Sequence, residues 1–431
     1  MNSDPQSGSQ PLSVDVPLSP DLYDYAFESD PVPTLERLQR EDPVHWSRHG
    51  FWYLTRYEDC ALVLRDAERF SSAAAGWGDG NPLAKAPAAT AVEGAGPSTV
   101  EARMTKGLSQ SFNQMDGPAH ARIRSLVIKA FSRRTVEERA PRIQAVVDEL
   151  LDAAAARGTF DLVADFAFHL PIIVASEIIG IPTEDRERFR IAFERSGALM
   201  APKQSEESWA QGLEAARWVG RYMRILIAER RASPREDLIT ALVHAEDELG
   251  ALSDAELFSA LITIFTAAGT TTERFVSSGL WLLLSHRDQW TALVADRSLV
   301  DSAIAEILRF HHPTQSTSTN RRCVVDVTLR GKVMRAGDTI RVGLGAANRD
   351  PDAFPDPHRF DIFRKSAQPS LSFGGGAHFC IGVALARFEA RLAIEAIANR
   401  WPDLELVTTH PVRDPKRHDR YLEILVAPPE N

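Results

Sequence analysis

Near its C-terminus the chain reads Phe373-Gly374-Gly375-Gly376-Ala377-His378-Phe379-Cys380-Ile381-Gly382, then enters a helical run from Val383 to Arg400. A glycine-rich loop thus delivers one cysteine to the start of a helix. Unpaired N–H groups and the positive end of the helix dipole stabilise an anion there, which favours a thiolate. A thiolate so placed is a nucleophile, a redox thiol or a metal ligand. The glycines let the backbone approach a large flat partner closely. Phe373 would cover one side of the sulfur. Taken alone, such a cysteine is more often a buried structural thiol, so the rest of the chain decides.

Three further groups could do chemistry. The run Ala268-Gly269-Thr270-Thr271-Thr272 interrupts an apolar helical stretch. Glycine costs about 1 kcal/mol relative to alanine inside a helix, and threonine hydroxyls bond back to carbonyls. Either the helix is kinked there, or a small molecule sits in a groove against it. His120 and Arg124 stand at i,i+4 and reach one anion from one face. Alone, they would be a solvated face. Glu306-Ile307-Leu308-Arg309 places an acid and an arginine one turn apart, and Pro355-Asp356-Pro357-His358-Arg359-Phe360 follows. Alone, the acid and arginine would be a surface pair.

These residues need a largely helical scaffold. Ser253-Asp254-Ala255-Glu256 is a capping box. It opens a helix to about Ser285, roughly 45 Å long at 1.5 Å per residue. That run is apolar on most faces and should cross the interior. Leu299 to Phe310 and Val383 to Trp401 are further helices, and Ala119 to Ala232 is helical with breaks near Gly158 and at Gly180-Ile181-Pro182. Phe51 to Thr55 reads as a strand followed by a helix, Asp59 to Asp66. Residues 324–343 alternate like short strands around a turn at Ala336-Gly337-Asp338. The expected class is mainly α with minor β, its small sheets near the N-terminal and C-terminal parts. Residues 71–115 carry little periodicity until about Val100, and a stretch of that length is either functional or disordered.

Composition bounds the rest. The 431 residues are 44% hydrophobic and 25% charged, ordinary values for a globular protein. No linker divides them, so residues 1–20 read as a loose arm and 21–431 as one domain. A net charge of −10 argues against nucleic acid as a partner. The three cysteines, Cys60, Cys323 and Cys380, are too sparse for a disulfide framework and fit a reducing cytoplasm. Met1 to Pro17 lacks the apolar core of a leader or membrane anchor.

The pattern F-G-x-G-x-H-x-C-x-G resembles the haem-binding loop of the cytochrome P450 family. The resemblance spans about residues 45–431, with the motifs in family order at family-like spacing. It implies the P450 fold, a long central helix over one haem b, and Cys380 as the axial iron ligand, with Phe373, His378 and Gly382 in the cofactor-binding loop. A cysteinate pushes electron density onto the iron and favours O–O cleavage. Ala268-Gly269-Thr270-Thr271-Thr272 resembles the oxygen-binding motif A-G-x-acid-T. Ala268 and Gly269 would leave room for dioxygen, and Thr272 matches the alcohol that relays protons. The acid position is Thr271, a departure from the pattern. Glu273 lies two residues later, about 200° around the helix, and either replaces the acid or does not. His120, Arg124, His378 and either Arg321 or Arg322 match contacts to the haem propionates. Glu306, Arg309 and Arg359 resemble the buried triad that braces the cysteine loop.

The implied activity is monooxygenation. Dioxygen and two electrons, delivered by a separate ferredoxin and its reductase, insert one oxygen atom into a small organic substrate. The lack of an anchor points to the soluble bacterial type, and secondary metabolism is the corresponding setting. Arg133, Arg134 and Arg387 are candidates for a basic docking patch. By analogy the pocket takes residues from 71–115, 186–231, Ile264 to Ala268, Thr314 to Thr319 and the turn near Arg417-His418. Those hydroxyls and cations suggest a substrate with polar or acidic groups beside an apolar frame. The missing acid leaves oxidative coupling or peroxide-driven oxidation as an alternative. A non-catalytic haem sensor is a third reading, which the retained Thr272 disfavours.

Overall fold

The computed structural model describes residues 20–22, 27, 30–73, 111–197, 205–247, 250–317, 319–408, 410–414 and 417–429. The expected arm and most of the 71–115 segment lie outside them.

The organising element is the central helix, Asp254–Ser285, 32 residues and about 48 Å long. Both halves of its capping box form: Ser253 Oγ accepts from the Glu256 N–H, and Glu256 accepts from the Ser253 N–H at 2.8 Å. Every residue from Thr272 to Leu280 is buried, as an all-round interior helix requires. Helices His169–Ile179, Val300–Phe310 and Val383–Arg400 pack against it. The stretch Leu162–Ile179 is long and apolar enough to cross a membrane by composition alone. Its buried residues belong to the same core, beside those of the central helix.

Beside the helices lies a five-stranded sheet in the order 44–46, 52–54, 339–342, 321–323, 70–71. Strands 52–54 and 339–342 are parallel, with Ile340 opposite Trp52 and Val342 opposite Leu54. The other pairings are antiparallel. Alternation along these strands buries Leu54, Ile340 and Val342 in a second core with Cys60 and Cys323. The sheet therefore brings strand Arg321–Cys323 beside Phe70–Ser71, although some 250 residues of chain separate them.

Two expectations need refinement. Within 324–343 the first turn is at Arg330-Gly331, both with positive φ (47° and 78°), joining Val327–Leu329 to Lys332–Met334. The turn at Gly337 then leads into Thr339–Val342. After Gly158 the chain forms a short strand, Phe160–Asp161, which pairs with Leu425–Ala427. Edge pairing with a strand more than 260 residues away is invisible to local periodicity.

Candidate active site

The cysteine loop is built on tight backbone. Gly374 and Gly376 hold positive φ (72° and 64°). A Cβ on Gly376 would lie 2.4 Å from the Leu64 carbonyl oxygen and 2.9 Å from Arg65 Cα, so only glycine lets the loop press on helix Tyr57–Arg65. The Cys380 N–H donates to the Phe373 carbonyl at 2.9 Å, closing the loop. Phe373 packs against the main core, and its ring meets Phe379 edge-on at 6.4 Å. Gly382 is the N-cap of helix Val383–Arg400, and the Cys380 side chain remains accessible.

The thiol differs from the expectation for a bare helix start. Burial pushes its pKa up, and the Gly382 N–H and the Arg124 cation only partly oppose that. A cation at the sulfur, as a bound metal would supply, would stabilise the thiolate further. Among the described residues no group of three or more His, Cys, Asp or Glu is placed to hold a metal.

Near the loop stand four nitrogen donors, His120, Arg124, Arg321 and His378. His120 is 3% exposed, and its Nε2 has no hydrogen-bond partner among the described residues. Burial, with His378 and Arg124 nearby, lowers its pKa to about 4. Its ring stacks on His378 at 4.1 Å. Arg124 donates to the Phe379 carbonyl. Arg321 is 3% exposed and, among the described residues, bonds to Thr319 alone, through the carbonyl oxygen (3.2 Å) and Oγ1 (3.1 Å). Burial lowers its pKa to about 10, with Asp116 opposing. Among the described residues this buried guanidinium has no ion-pair partner and the buried histidine nitrogen no acceptor, an arrangement that is costly unless an anion arrives. Two carboxylates on a flat metal-bearing macrocycle match that donor set. Strand alternation separates the two arginines: Arg321 points inward, whereas Arg322 Nε turns to the Gly337 carbonyl at 3.1 Å.

On the central helix the three threonines diverge. The Thr271 hydroxyl donates to the Ala267 carbonyl at 2.6 Å. Thr270 is exposed. Thr272 is 5% exposed, and its hydroxyl has no hydrogen-bond partner among the described residues. Ala268 and Gly269 are half-buried, and a Cβ on Gly269 would meet only Ile172, at 3.8 Å. Glu273, 2% exposed, turns to Arg420 at 3.2 Å, in strand Arg417–Glu423. Burial raises its pKa, with Arg420 opposing. Arg420 also faces Asp414 at 3.7 Å.

The brace differs from the expected triad in one member. Arg309 grips Glu306 through two 2.7 Å bonds, both side chains buried. The second arginine on Glu306 is Arg364, at 3.2 Å, not Arg359. The Arg359 side chain is 72% exposed, and only its carbonyl joins, accepting from Arg309 and Arg364. Arg364 also bonds to the Pro355 and Asp356 carbonyls, so it ties the whole turn to Glu306.

Several expected pocket hydroxyls are consumed internally. Ser316 accepts from Arg341 at 2.8 Å, and Thr319 from Arg321. The Thr317 hydroxyl is buried without a partner among the described residues. Ser318 and the side chains of Arg417 and His418 lie outside the described set. Arg133 and Arg134 are exposed, each paired one turn on with Glu137 or Glu138. Arg387 is half-buried near Asp301 and Arg391, and burial lowers its pKa. The sequence reading passed over Asp116 and Arg364. Asp116 stood in view one residue before Gly117-Pro118 and four before His120, at the position of a helix cap.

The cytochrome P450 family model matches residues 90–429. The cytochrome P450 monooxygenase PikC of Streptomyces venezuelae is 39% identical, over 88% of this chain and 86% of the relative. The mycinamicin IV hydroxylase/epoxidase of Micromonospora griseorubida is 37% identical, over 86% and 87%. The crystal structure of CalO2 superposes with a TM-score of 0.84 at 31% identity, covering 96% of this chain and 99% of that one.

Proposed function

The chain belongs to the cytochrome P450 family and is a P450 monooxygenase with a haem-thiolate cofactor, and from that premise we propose that it hydroxylates a secondary metabolite. The observation that carries the site assignment is the accessible Cys380 thiol on a loop that also brings together buried His120, whose Nε2 has no partner among the described residues, and buried Arg321, which has no ion-pair partner among them. When bound, the haem supplies reductive activation of dioxygen and transfer of one of its oxygen atoms to the substrate.

The chain's own residues do the rest. Cys380 gives the thiolate. His120, Arg124, Arg321 and His378 would hold the cofactor's carboxylates, and Phe373 and Gly382 shape the loop. Ala268 and Gly269 leave space beside the helix. Thr272, with its hydroxyl uncommitted, passes protons from water to the reacting oxygen. Thr271 donates to its own helix and Glu273 pairs with Arg420, so both are held in fixed positions next to Thr272 in the proton path. Electrons come from a separate ferredoxin and reductase, docking near Arg133, Arg134 and Arg387 by a small electrostatic contact. The setting is the bacterial cytoplasm.

The substrate class follows the company the chain keeps: one relative is named for hydroxylating and epoxidising mycinamicin IV. A second reading, oxidative coupling, is favoured by the commitment of both Thr271 and Glu273. Turnover with a ferredoxin system under labelled dioxygen tests the choice. One labelled oxygen atom in the product supports hydroxylation, and an unlabelled coupled product overturns it.

A further inference from the structure

Asp116 occupies the N-cap of helix Gly117–Val127, where an aspartate ordinarily accepts from its own helix's first N–H groups. It makes no such bond. Its Oδ2 accepts instead from Ser71 Oγ, the Ser72 N–H (2.8 Å) and the Ala73 N–H (3.1 Å). Its Oδ1 meets His378 Nε2 at 3.2 Å. His378 in turn lies on His120, whose Nε2 awaits an acceptor. An acid among groups that must bind acids would oppose them by simple Coulomb repulsion. Here three donors satisfy one oxygen, which leaves the other to fix an imidazole.

We infer that Asp116 is a positioning residue that orients the His378 ring, through Nε2, so that the stacked His378–His120 pair is preset for a haem carboxylate. It acts through His378. A carboxylate behind a metal-ligating histidine sets that ring's tautomer and direction, and its loss typically costs about 10–100-fold in metal affinity; the same orienting logic applies to an imidazole that binds a carboxylate. The inference rests on the reading of His378 as a carboxylate contact.

Haem-loaded wild type, Asp116→Ala, His378→Ala and the double variant are compared for the rate of haem transfer to an excess of a haem-scavenging apoprotein. Asp116→Ala should release haem at least about tenfold faster. His378→Ala should do at least as much, and the double variant should be no faster than His378→Ala. A wild-type rate for Asp116→Ala, or multiplied effects in the double variant, overturns the inference. A wild-type rate for His378→Ala overturns instead the reading on which it rests, and the inference with it. If Asp116→Ala fails to load haem, Asp116→Asn serves. It keeps an acceptor for residues 71–73 but offers His378 an amide, and the same non-additivity is expected.

Discussion

Replacing Glu306 by glutamine should cost about 3–5 kcal/mol, the usual consequence of removing one partner from a buried ion pair. Glutamine keeps the shape of the side chain and one acceptor. It leaves Arg309, itself buried, and Arg364 without their counter-charge. It also weakens the acceptor for the Asp361 N–H, now at 3.0 Å. Folded domains are stable by about 5–15 kcal/mol, so the loss would be a large fraction of the whole. Arg364→Gln should cost about 1–3 kcal/mol, because one charge-assisted bond to Glu306 and three backbone contacts go with it. Arg359→Gln should leave stability unchanged, since its guanidinium lies in solvent. Urea unfolding of the haem-loaded proteins, followed by both tryptophan fluorescence and haem absorbance, measures all three. A Glu306→Gln midpoint within about 1 kcal/mol of wild type would refute the brace. So would an Arg359→Gln variant as damaged as Arg364→Gln.

Thr272→Ala should raise peroxide release per electron consumed while leaving the haem spectrum intact, whereas Thr271→Ala should change little, because its hydroxyl serves the Ala267 carbonyl. The measurement is peroxide yield against electron-donor consumption. Arg321→Gln should lose haem faster than wild type and Arg322→Gln should not, a contrast read by haem transfer. Glu389, fully buried in the C-terminal helix with Oε2 unpartnered, has its pKa pushed up to about 8 by burial from an ordinary 4.5. The folded chain then holds a proton that the unfolded chain releases, so this stability is complete below about pH 4.5 and lost as pH rises through about 8. Glu389→Gln cannot ionise, so its denaturation midpoint should gain on wild type from about pH 5 to about pH 8. A constant difference across that range would rule out the titration.

Much of the architecture was legible because its signals are local. A capping box needs four residues, and the Gly-rich approach to Cys380 needs ten. The helix between Asp254 and Ser285 was therefore readable from end to end, as was the loop. What sequence left open depended on contacts across the fold. Arg359 and Arg364 stand five residues apart in one turn, and only burial against Glu306 separates them. Arg321 and Arg322 are split by strand alternation, which becomes readable once the pairing with Thr339–Val342 fixes the face. Glu273 could be placed about 200° from Thr271, but its partner Arg420 arrives from a strand 147 residues away. The hydroxyl-rich segment after Thr314 looked like a polar pocket wall. In the fold, Ser316 and Thr319 serve Arg341 and Arg321 instead.

The most direct test of the account is the absorption spectrum of the purified wild type and Cys380→Ser, resting and then reduced under carbon monoxide. The wild type should carry a thiolate-haem signature, which Cys380→Ser should lose. Titrating the resting wild type with macrolide, polyketide, terpenoid and steroid ligands should then move the iron to high spin with one scaffold class. A wild type without the thiolate signature, or a Cys380→Ser variant that retains it, would contradict the assignment of Cys380.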